Sequence, residues 1–353
     1  MTQPDDAAWI AATGAPRRES NAAAETRTVE PRPAEPRPVD QDGEAVDHGG
    51  PAVEGAQGAD NAGAGTSSYP SYADETAPEM GPTGRPLRPV AEPEVLSAHG
   101  PARVIAMCNQ KGGVGKTTST INLGAALAEY GRRVLLVDLD PQGALSAGLG
   151  VPAHELDRTI YNLMLEPSTA VTDVLVPTRL EGVDLLPANI DLSAAEVQLI
   201  NEVGREQTLA RALRPLLPLY DYVLIDCQPS LGLLTVNALA CSHEVLMPLA
   251  AEFFSLRGVA LLVDTVDKVQ SRINPDLKIG GVLVTMFDGR TVHARDVVAM
   301  LVERFGELVF DTVISRTVKF PETTVAGEPI TTYAPASSAA EAYRALAREV
   351  IAR

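Results

Sequence analysis

Between Arg103 and Thr118 the chain reads RVIAMCNQKGGVGKTT: an apolar run, a glycine-rich loop, then Lys-Thr-Thr at the head of a helical pattern. A strand that must pass into a helix through such a loop has few folds open to it. Gly112, Gly113 and Gly115 free the backbone to wrap closely around phosphate oxygens, and the helix N-terminus behind them adds N–H donors. Lys116 is placed for the β- and γ-phosphates and Thr117 for Mg2+, with Val114 and Thr118 completing the cradle. An ordinary strand-to-helix turn would explain the glycines but not Gly-Lys-Thr-Thr in this context.

The rest of residues 101–353 repeats the same rhythm. Strands are expected at Arg103–Asn109, Arg133–Asp138, Val183–Pro187, Tyr222–Asp226, Glu244–Pro248, Ile279–Met286 and Leu308–Ile314. Helices are expected at Gly115–Tyr130, Leu192–Glu202, Gln207–Leu217, Leu233–Cys241, Leu256–Arg272, Val292–Phe305 and Ser337–Ala352. Strands such as VLLVD and YVLID are continuously apolar, the mark of burial on both faces. The fold class expected is therefore α/β: a doubly wound, mostly parallel sheet with helices on both faces.

Residues 1–100 are a different material. They hold 13 of the 27 prolines, seven arginines, no lysine and 17 acids. Such a sequence buries too little apolar surface to offset the entropy of ordering, so a disordered tail is expected ahead of a domain at 101–353. Asp5–Ala12 stands apart because it carries the chain's single tryptophan, Trp9. Two readings stay open for it: a stray aromatic, or a short helix that docks Trp9 and Ile10 on a partner such as a polar scaffold.

The net charge of −17 excludes a general binder of nucleic acid or anionic membrane and leaves only a local basic patch for that work. Three cysteines make no disulfide framework and suit a reducing cytosol. With no apolar run of about 18 residues and no basic-then-apolar leader, neither a spanning helix nor secretion is expected.

Two further motifs carry carboxylates. Val134–Gly143 reads VLLVDLDPQG, and its Asp138 and Asp140, two residues apart, fall on one side of a strand end beside the crevice where ligands bind such sheets. Capping of the following helix is the other reading for either acid. Tyr222–Ser230, YVLIDCQPS, ends a buried strand in Asp226, which suits a Mg2+-bound water.

Lys111 is a second lysine in the phosphate loop, more cation than one nucleotide needs, and Gln110 stands where the general loop pattern has glycine. KGGVGKTT thus resembles the deviant Walker A motif of the ParA/MinD class of ATPases. DPQGALSAGLG (140–150), DCQPSLGLLTVNAL (226–239), GVLVTMFDGRT (281–291) and VISRTVKFPE (313–322) resemble its chromosomal ParA (Soj) branch. The resemblance covers about residues 101–353. It implies an ATP- and Mg2+-dependent hydrolase working as an ATP-dependent sandwich homodimer, with Lys111 reaching the partner's phosphates. Asp140 would orient the attacking water, Asp138 would support the Mg2+ shell, and Thr117 with Asp226 would hold the ion. It also implies non-specific DNA binding through Arg290 and Lys319, joined by Arg316 and Arg295, release by a ParB-type centromere-binding protein, and a cytoplasmic, nucleoid-associated protein. Ala144 and Gln228 depart from the pattern, which usually has asparagine and proline there. The rival readings are a MinD-like membrane-associated ATPase, which needs the terminal helix on a bilayer, and a ParA-like ATPase that positions a non-DNA cargo. Cys108, Cys227 and Cys241 lack the spacing of an iron–sulfur relative, and no histidine cluster suits a metal.

Overall fold

The apolar runs pair into a single sheet because each must be covered on two sides. A computed structural model describes residues 79–252 and 255–353; the patch around Trp9 and the remainder of 1–78 lie outside the described residues. The strands are β1 (Arg103–Met107), β2 (Val134–Leu139), β3 (Val176–Pro177), β4 (Val183–Leu186), β5 (Tyr222–Cys227), β6 (Glu244–Ala250), β7 (Lys278–Phe287) and β8 (Val309–Ser315). Their order is β3-β4-β2-β5-β1-β6-β7-β8. All neighbours are parallel except β3, which runs antiparallel to β4.

Alternation along the strands builds two cores. Val104 and Ala106 point to one face, with Leu135, Val223, Leu239 and Leu262. Ile105 and Met107 point to the other, with Leu123, Leu127, Leu136 and Leu346. This period of two, apolar on both sides, is the physical content of the unbroken apolar runs. From β1 the chain crosses one way to β2, whereas β6 joins on the opposite side. The end of β1 therefore opens into the crevice where doubly wound sheets bind ligands.

The terminal helix Ser338–Ala352 starts where the Ser337 hydroxyl accepts from the Ala340 N–H at 3.2 Å. It buries Tyr343, Leu346, Ala347 and Val350 in the second core. Its apolar face is thus inside the protein and is not offered to a membrane surface. No helix among the described residues is long and apolar enough to cross a membrane.

Several boundaries differ from expectation. The second expected helix ends as Leu192–Gln198 with a 3-10 turn behind it, and the third shortens to Thr208–Leu213 because Pro215 cannot continue it. The short helices Ala144–Gly148, Ile160–Leu165, Lys319–Ala326 and Ile330–Tyr333 were not expected, each being shorter than the window of about 11 residues over which helical periodicity shows.

The larger difference lies in the tail. Residues 79–100, expected to be disordered, lie against the domain. Arg85, largely buried, meets Asp311 at 2.5 Å and donates to the Gly306 and Val309 carbonyls. Arg88 pairs with Glu307 at 2.7 Å, and Arg132 donates to the Glu94 carbonyl at 2.8 Å. His99 and the Gly100 N–H share Asp221. Proline-rich composition hides this segment because its contacts are made by arginine and backbone, not by an apolar face. Arg85→Ala is expected to lower the unfolding free energy by about 2 kcal/mol, the scale of hydrogen bonds lost from a buried charged group, read as a lower urea midpoint at constant slope. An unchanged midpoint would return 79–100 to the tail.

Candidate functional site

Parallel register decides which acidic strand ends meet the phosphate loop. β5 pairs Asp226 with Met107 of β1 on one side and with Asp138 of β2 on the other. The loop leaves β1 one residue later. Gly113 and Gly115 have φ of +71° and +83°. A Cβ on Gly113 would meet nothing within 4 Å, so conformation and not space demands glycine there. The loop is pinned by residues that the sequence reading did not single out. Asn109 donates to the Pro248 carbonyl at 2.7 Å and accepts from the Lys111 N–H at 2.9 Å. The Thr285 hydroxyl donates to the Val114 carbonyl at 2.8 Å.

At the helix head Lys116 is buried, and Thr117 Oγ1 donates to Asp226 Oδ2 at 2.6 Å. Thr120 Oγ1 faces the other Asp226 oxygen at 3.4 Å. Asp226 has no solvent exposure. Burial pushes its carboxyl up to about 7 against the Thr117 hydrogen bond and the nearby Lys116 charge. A divalent cation would offset the same desolvation, so the hydroxyl–carboxylate pair fits Mg2+.

Asp138 behaves differently. Its Oδ2 accepts from the Ser146 N–H at 2.9 Å and from the Ser146 hydroxyl at 2.7 Å; its Oδ1 accepts from the Asp140 N–H at 3.3 Å. Burial and then the Asp226 charge push it up to about 8. Asp138 thus sits beside Asp226 on the paired strands and is tied to Ser146. Asp226, not Asp138, stands against Thr117, and Asp138 fixes the turn that carries Asp140. Asp140 is half-buried, with Oδ1 accepting from the Gln142 N–H at 3.0 Å.

These groups open on a cavity of about 540 Å³. One wall is the loop, Lys116 to Ser119 and Asp140. The other is more apolar and comes from Met286 of β7, Ile314 of β8, and Phe320 and Pro321 of the helix Lys319–Ala326. Tyr343 of the terminal helix ties the walls together, with its hydroxyl 3.2 Å from Ser119 Oγ and its ring edge-on to Phe320 at 6.0 Å. A phosphate cradle facing an apolar wall suits a nucleotide. Gln228, the departure beside Asp226, donates to Glu196 at 2.9 Å and so links its loop to the helix Leu192–Gln198. Cys108 and Cys227 are buried with their sulfurs 3.2 Å apart, and the Cys108 contact and then burial push the Cys227 thiol well above its usual range.

The expected DNA residues fall on two adjoining segments, because β7 and β8 pair Phe287 with Ser315. The Arg290 side chain is 91% exposed and forked onto Asp288 at 2.8 Å and 2.9 Å. That pairing holds Asp288 down at about 2. Lys319 begins the helix Lys319–Ala326 and is half-buried, and Arg295 is exposed. Arg316 lines the same cavity as the phosphate loop and lies 3.7 Å from Glu252. Lys111 does not line the cavity; its Nζ sits 2.7 Å from Glu252 Oε2.

Comparison with known proteins matches residues 102–279 to a family model described as an AAA domain. An uncharacterized protein of Mycobacterium tuberculosis is 70% identical over 79% of this chain and 88% of its own length. The sporulation initiation inhibitor protein Soj of Bacillus subtilis is 45% identical over 71% of this chain and 98% of its own. Among solved structures, a protein named cobyrinic acid a,c-diamide synthase from Mycobacterium smegmatis, with bound ATP analog and magnesium, is 46% identical at a TM-score of 0.62. It covers 70% of this chain and 92% of its own.

The buried acids give the site a pH signature. Carboxyls ordinarily near 4 are raised to about 7 and about 8 in the folded chain. The native state thus keeps protons that the unfolded chain releases. The contribution of these two groups to stability without ligand should be fullest below about pH 4 and should be lost as pH rises through 7 and 8. Asp226→Asn is expected to flatten part of that fall and to melt no lower than the unsubstituted protein at pH 8. A parallel pH dependence in the two proteins would show that Asp226 does not carry the effect.

Proposed function

The chain belongs to the ParA/Soj family of P-loop ATPases, and from that premise we propose that it is a partition ATPase whose ATP-bound dimer holds DNA without regard to sequence. ATP and Mg2+ are the ligands its site is built for. Lys116 and the loop N–H groups, with Gly112, Gly113, Val114, Gly115 and Thr118, bind the triphosphate. Thr117 and Asp226 would hold the ion, which neutralises phosphate charge when bound. Asp140, carried on the turn fixed by Asp138, orients the water. Positioning and charge stabilisation do most of the work in such chemistry. Lys111 acts on the partner's nucleotide, which its place outside its own cavity supports. A ParB-type protein stimulates hydrolysis and release.

The observation that carries the DNA reading is the register of β7 and β8. It brings Arg290 and Lys319 to the same end of the sheet as the phosphate loop, where Arg316 lines the cavity. One weak basic patch per subunit, doubled by dimerisation, makes DNA affinity follow ATP. The terminal helix is packed against the core, so the MinD-like membrane reading lacks its effector. The amidation in the Mycobacterium smegmatis protein's name finds less support: the cavity presents hydroxyls, a lysine and a carboxylate suited to phosphate and metal.

The first experiment is co-sedimentation with non-specific duplex DNA and, in parallel, with anionic liposomes, under ATP, ADP or no nucleotide. ATP-dependent, salt-sensitive DNA binding without liposome binding is expected; the reverse pattern would move the protein to the membrane class. Arg290→Glu is expected to keep ATP-dependent dimerisation while losing DNA. Asp140→Ala is expected to stay dimeric and DNA-bound with ATP, and rapid turnover in that variant would remove Asp140 from the mechanism.

A further inference from the structure

We propose that Glu252 is a positioning residue that holds Lys111 within its own subunit and so sets how much nucleotide is needed before that lysine crosses to a partner. The inference rests on the role in trans given to Lys111 above. Its observation is separate: Lys111 Nζ donates to Glu252 Oε2 at 2.7 Å, while the other carboxylate oxygen faces Arg316 at 3.7 Å. The Lys111 contact holds the Glu252 carboxyl below its usual range.

The pair is built into the scaffold. Asn109 fixes the Lys111 backbone through its N–H and is itself bonded to the Pro248 carbonyl on β6. Glu252 follows two residues after the end of that same strand. The lysine and its acceptor are therefore located by one strand end, 141 residues apart in sequence.

The charges then make the release conditional. Lys111 can leave Glu252 only for an acceptor more negative than one carboxylate already shared with Arg316. A triphosphate across a dimer interface is such an acceptor, and a diphosphate competes less well, so Glu252 sharpens the preference for the ATP state. The size of the effect follows from exposure. Lys111 and Glu252 side chains are 39% and 47% exposed, so solvent screens the pair. Half-exposed ion pairs shift an equilibrium by a few-fold, up to about fivefold. Both subunits release a lysine on dimerisation, so the factor enters the dimerisation constant twice.

The test uses the full-length protein and sedimentation velocity across a titration of a non-hydrolysable ATP analogue with Mg2+. Glu252→Gln, close in shape, is expected to lower the analogue concentration for half-maximal dimer by about two- to fivefold. Glu252→Asp, which keeps the charge but withdraws it from Lys111, is expected to move it the same way by less, and serves if the amide variant folds poorly. Lys111→Ala, alone or with Glu252→Gln, is expected to stay monomeric. If Lys111→Ala is monomeric while both Glu252 variants dimerise at the unsubstituted concentration or higher, the holding role is overturned and the reading of Lys111 stands. If Lys111→Ala dimerises like the unsubstituted protein, both fall.

Discussion

The hydrogen bond from Thr117 to the fully buried Asp226, 2.6 Å long, is the constraint on which the site depends. A carboxylate with no exposure is costly unless something compensates it. Here the compensation is partial: two threonine hydroxyls and the nearby Lys116 reduce the penalty without removing it. Burial thus holds this carboxyl well above the usual carboxylate range, a penalty a cation would lift. The parallel pairing of β1, β2 and β5 makes this unavoidable by bringing Asp138 and Asp226 side by side.

Asp138 shows how one register produces two tasks. Both acids end buried strands and both are desolvated. The chain after β2 turns back so that Ser146 caps Asp138 with two donors, whereas Asp226 is left facing the helix that follows the phosphate loop. One carboxylate is bonded to the turn that carries Asp140; the other faces the hydroxyls of Thr117 and Thr120. Further out, Asn109 and Thr285 pin the loop from β6 and β7, so the cradle's shape is held by strands distant in sequence.

The same strand ends connect the nucleotide to the outer charges. Glu252 after β6, Asp288 after β7 and Arg316 after β8 lie along one edge of the sheet, and each pairs with an opposite charge from a neighbouring segment or turn. Local ion pairing moderates the basic patch: Arg290 is exposed, yet its guanidinium is forked onto Asp288.

The phosphate loop, the strand–helix alternation and both acidic strand ends were legible in the sequence, because each depends on residues within a few positions of one another. Glycine at strained turns, unbroken apolar runs for doubly covered strands and Lys-Thr at a helix head need no distant partner to be recognised. Four things were decided only by tertiary structure: which aspartate faces Thr117, what holds Lys111, how exposed the arginines remain, and that residues 79–100 belong with the domain. Periodicity reports whether a residue is buried. It does not report which charge, more than a hundred residues away, a strand register will set beside it.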